Sequence, residues 1–73
     1  MTKFPSYKPL VIEKILLKNG FIVKRQTGSH RIFVHTELEN IVVVPIHSQD
    51  IPTGTLRSII KQSGLPEDKF LKK

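Results

Sequence analysis

A chain of 73 residues with no cysteine has room for one small core, and it excludes a disulfide staple and a thiolate metal site. Folding at this length buries roughly 60 % of the surface that the unfolded chain exposes, so any chemistry comes from a few side chains on one domain spanning residues 1–73. The charge is strongly basic, with 12 Lys and Arg against 6 Asp and Glu, and residues 1–36 carry seven of those cations beside Glu13 as their one acid.

Met1 to Pro5 lacks the apolar run of a signal peptide, and no apolar stretch is long enough to span a bilayer. These readings predict a soluble cytoplasmic protein without a membrane partner. Ser6 is the expected N-cap of a first helix over Tyr7–Asn19, with Pro9 in its first turn, where a missing N–H costs little. Val11, Ile12, Ile15 and Leu16 form its apolar stripe, and Gly20 supplies the left-handed residue that ends it. Leu10 and Leu17 fall off the stripe, as rim packing or as a partner surface.

Phe21–Thr27 reads as a strand, Gly28-Ser29 as a turn and His30–His35 as a second strand. Glu37–Asn40 is a polar turn, and Ile41–Ile46 a third strand whose near-continuous apolar character predicts burial on both faces or a central position. Pro45 weakens its end. A second helix is expected over Gly54–Ser63, after Pro52 and an N-cap at Thr53, with Leu56, Ile59 and Ile60 inward, Arg57 and Lys61 outward, and Gly64 closing it. Leu65–Leu71 adds a last helical turn, with Phe70 and Leu71 covering the core edge, and Lys69, Lys72 and Lys73 form a solvated tail. The order α-β-β-β-α predicts a two-layer α+β domain: a three-stranded antiparallel sheet with both helices on one face and the other face partly open.

The chain has no Gly-rich phosphate loop, no His or Cys cluster with metal-ligand spacing and no paired carboxylates at helical spacing, so no metal and no cofactor are expected. Its basic surface suits a polyanion, nucleic acid first among those of the cytoplasm. RNA carries its own nucleophile in the 2′-hydroxyl. Cutting it takes a base for that proton, an acid for the departing 5′-oxygen and positive charge at the phosphate, roles that histidine and its cationic neighbours fill near neutral pH. The segment Lys24-Arg25-Gln26-Thr27-Gly28-Ser29-His30-Arg31 holds these ingredients. Gly28 permits a tight turn and close approach of backbone to phosphate, Ser29 offers a hydroxyl, His30 is the candidate proton carrier, and Lys24, Arg25 and Arg31 are candidate phosphate ligands. By strand parity His30 shares a face with Ile32 and Val34, and Arg31 shares one with Phe33 and His35. If Ile32 and Val34 point into the core, His30 stands at its rim, where desolvation and nearby cations both favour the neutral imidazole. His47 is a candidate second proton carrier or phosphate contact; His35 reads as a solvated strand end and Arg57 as a solvated face charge with a possible phosphate or partner contact.

Four blocks carry a resemblance: Leu16 through Phe21 with its Asn-Gly-Phe; Arg25-Gln26-Thr27-Gly28-Ser29-His30 with Phe33; Val44-Pro45-Ile46-His47; and Gly54-Thr55-Leu56-Arg57-Ser58-Ile59 leading to Gln62-Ser63-Gly64-Leu65. In this order they cover nearly the whole chain, which resembles the HicA toxin family. The resemblance implies a fold like that of double-stranded-RNA-binding domains and a ribosome-independent mRNA interferase that arrests translation. It implies His30 as the catalytic residue and a HicB antitoxin that blocks the site and contributes to control of the operon. Thr27 departs from the Lys or Arg expected there, leaving one cation fewer. From the residues alone, a non-catalytic RNA-binding module and a protein-interaction domain using Leu10, Leu17 and the tail also fit.

Overall fold

The computed structural model describes residues 7–46 and 50–70. Chain order is α1 (Pro9–Lys18), β1 (Phe21–Thr27), β2 (His30–His35), β3 (Ile41–Pro45), α2 (Thr53–Ser63) and a short 3-10 turn, Glu67–Lys69. The three strands form one antiparallel sheet in the order β1-β2-β3, the α+β arrangement expected. Ile12 and Leu16 of α1 and Leu56, Ile59 and Ile60 of α2 pack with Phe21, Phe33, Val42 and Val44 in a single core, so both helices cover the same face.

Several local expectations change. Thr53 is the first helical residue of α2 rather than its cap; Pro52 occupies the cap position, where its carbonyl accepts from the Leu56 N–H at 2.9 Å and its ring has no side-chain acceptor to offer. Lys8 caps α1, and Ser6 lies outside the described residues. β3 is neither central nor buried on both sides. It is an edge strand in which Val42 and Val44 point inward while Ile41 and Val43 stay exposed. It stops at Pro45, which has no N–H to extend the ladder, and the Ile46 N–H instead reaches the Ser29 carbonyl at 2.7 Å. Phe70 is buried at the core edge and its carbonyl accepts from the Tyr7 hydroxyl; Leu71, Lys72 and Lys73 lie outside the described residues. Leu10 and Leu17 are exposed.

The turns are tied down by side chains. Gly20 has φ +93°, open to glycine but costly for other residues, and a Cβ there would stand 2.6 Å from the His35 ring. That ring meets Phe21 edge-on at 5.0 Å, and its Nδ1 accepts from the Glu37 and Leu38 N–H groups at 3.1 and 3.0 Å. His35 is therefore the half-buried anchor of the β2–β3 turn, not a solvated strand end. Asn40 closes the turn onto α2, donating its amide to the carbonyls of Gln62 and Ser63, two of the acceptors that a helix end leaves unsatisfied.

Candidate active site

The geometry of the β1–β2 hairpin follows from a count. β1 has seven residues and β2 has six. The core fixes Phe21 opposite His35, and the two-residue turn fixes Thr27 opposite His30, so one residue of β1 has no partner. That residue is Lys24: Val23 faces Phe33, Arg25 faces Ile32, and the pairing skips between them. Without this bulge Arg25 would stand opposite Arg31, two like charges in direct cross-strand apposition. With it, Gln26 faces Arg31, and Arg25 moves to the other side of the sheet.

Cross-strand partners share a face, which sorts the candidates. Phe33 is fully buried under the helices, so Arg31 and His35 are on the helix side, as is Gln26. The open side carries His30, Thr27 and Arg25 at the hairpin end, Ile32 and Val43 next, and Ile22, Val34 and Ile41 beyond. The condition that would have put His30 at the core rim fails, because one large aromatic at position 33 outcompetes the flanking branched residues for the core. His30 is exposed, between Thr27 of β1 and Pro45 of β3, on the face that none of the described elements covers. Gly28 has φ +55°, the conformation that lets a two-residue turn close, and no atom lies within 4 Å of where its Cβ would be. Gly28, Ser29 and Lys24 are exposed at the same end.

Arg31 goes elsewhere. Its Nη1 donates to both carboxylate oxygens of Glu13 at 2.9 and 3.1 Å, and its Nε and Nη2 donate to Gln26 Oε1 at 3.1 and 2.8 Å. Glu13, only 6 % exposed, is the functional-looking residue that helical periodicity missed. It neighbours Ile12 on the buried side of α1, and a carboxylate there requires a cation aimed inward. His47 lies outside the described residues, and Arg57 is exposed on α2. Arg57 and Lys61 border a depression of about 450 Å³ with Ile60, Gly64, Leu65 and Glu67, none of them a residue of the hairpin.

Among the described residues no three His, Cys, Asp or Glu side chains are placed to hold a metal ion, and no helix is long and apolar enough to cross a membrane. The chain has no match among curated proteins. A family model described as "HicA toxin of bacterial toxin-antitoxin" matches residues 12–65, well over half of the chain and inclusive of the whole hairpin, and on that match the chain belongs to the HicA toxin family.

Proposed function

We propose that this chain is a metal-independent mRNA endonuclease of the cytoplasm, the toxin of a pair, with His30 as its catalytic residue. The observation that carries the reading is the placement of His30 with Arg25 and Thr27 on the uncovered sheet face, in a chain of the HicA toxin family. None of the described elements covers this face, so a strand of RNA can approach it without displacing them.

The chemistry is general acid–base catalysis. His30 takes the proton of a 2′-hydroxyl, the freed oxygen attacks the adjacent phosphorus, and the P–O5′ bond breaks. The products are a 2′,3′-cyclic phosphate and, after protonation of the leaving oxygen, a 5′-hydroxyl. Lys24 and Arg25 supply positive charge to the phosphate, and the Gly28–Ser29 turn supplies a hydroxyl and backbone N–H groups. Arg31 drops out of the phosphate-binding set, since its guanidinium is held by Glu13 and Gln26 on the opposite side. For the leaving-group proton the sequence offers His47 as a candidate, outside the described residues. A HicB-like antitoxin would silence the enzyme by covering the same face, where Val43 and, farther from His30, Ile22 and Ile41 remain 40, 51 and 48 % exposed.

Induced expression is the direct biological test. The wild-type chain is expected to arrest growth and the His30→Ala chain, with an exposed side chain removed and the fold intact, is expected not to. Equal arrest by both would remove His30 from the mechanism. A chain that shifts RNA on a gel in a salt-sensitive way and leaves it uncut would be a binding module instead.

A further inference from the structure

We propose that Glu13 is a positioning residue for His30, acting through Arg31 and Gln26; the inference rests on the catalytic reading of His30. The three side chains form one continuous chain of contacts: the Glu13 carboxylate to Arg31 Nη1, and Arg31 Nε and Nη2 to Gln26 Oε1. Gln26 and Arg31 are direct cross-strand partners, and the next pair toward the turn is Thr27 and His30. The network therefore grips both strands one residue before the catalytic position and ties them to α1. From the other side the Ile46 N–H grips the turn at the Ser29 carbonyl. Between these two holds the hairpin end has little freedom.

Stability alone does not call for this arrangement. A carboxylate 6 % exposed must be stripped of water, and an apolar pair at positions 13 and 31 would fill the space with no charge to desolvate. What an ion pair with a forked guanidinium adds is direction: a fixed angle and two donors left over for Gln26. Catalysis depends on that precision, since a misplacement of about 1 Å costs up to a hundredfold in rate.

The test compares the wild-type chain with Glu13→Gln, Gln26→Ala and Arg31→Lys in RNA-cleavage kinetics, together with amide hydrogen exchange. Gln26 is exposed, so its variant folds whatever the fate of the buried ones. Each variant is expected to lower kcat about tenfold with KM changed less than about twofold. The Glu13→Gln, Arg31→Lys double variant is expected to be no worse than either single one, because both break the same unit. Exchange of the amides of residues 27–30 is expected to quicken in all variants while those of Phe33 and Val42 stay protected. The proposal is overturned if exchange at 27–30 is unchanged, or if Glu13→Gln lowers KM and leaves kcat intact, which would make Arg31 a restrained phosphate ligand. Should the wild-type chain cut no RNA, the catalytic reading falls, and the exchange result alone decides whether Glu13 orders the hairpin.

Discussion

Arg25 and Arg31 stand in adjacent strands, look interchangeable in the sequence and have opposite fates. Arg25 is exposed on the open face beside Ile32, available to a phosphate; Arg31 faces the helices and answers a buried carboxylate. Replacing each with Ala should separate the two roles. Arg25→Ala is expected to weaken RNA binding at all sequences and to reduce the salt slope of binding by about one, with the melting temperature unchanged. Arg31→Ala leaves Glu13 buried without its cation and is expected to cost about 2 kcal/mol in urea unfolding, below the range for a fully buried pair because Arg31 is partly exposed. The Gly28-Ser29 turn and the start of β2 at His30 were legible, because a glycine that frees the backbone for a positive φ announces a tight turn. The face on which His30 sits was not: Ile32 and Val34 on one parity and Phe33 on the other are all apolar, and only packing against Ile12, Leu16 and α2 decides between them.

Among the elements, both strands of the hairpin begin and end where their composition predicts, and those bounds already imply the bulge. Seven residues facing six across a two-residue turn leave one over. Which residue is left over depends on cross-strand pairs, and the Gln26–Arg31 contact favours Lys24. Deleting Lys24 should therefore leave Val23 opposite Phe33 and Arg25 opposite Ile32, with stability changed by less than about 1 kcal/mol. Cross-strand proton contacts measured by NMR would check it, and loss of the Arg25–Ile32 contact would contradict the assigned register. The third strand was misjudged because an unbroken run of Ile and Val reads as doubly buried. Here the outward residues Ile41 and Val43 belong to an exposed apolar face, a surface that suits a partner rather than a second layer.

The whole molecule is one helix layer on one sheet, with a core built around Phe21, Phe33 and Phe70. So little is buried that single core residues matter greatly. Phe33→Ala is expected to cost about 3–5 kcal/mol, most of the stability of a domain this small, and to abolish a cooperative thermal transition at 37 °C and above. A cooperative melt in that variant would mean that the core does not centre on β2. The same economy shapes the open side of the sheet: both helices are committed to one face, no described element covers the other, and the short β1–β2 turn places His30 at its edge. The most direct measurement is incubation of a long mRNA with the purified chain in EDTA, beside His30→Ala, with the fragment ends identified. The account predicts fragments from the wild-type chain only, ending in 2′,3′-cyclic phosphate. Intact RNA in both reactions, or equal cutting by both proteins, would contradict it.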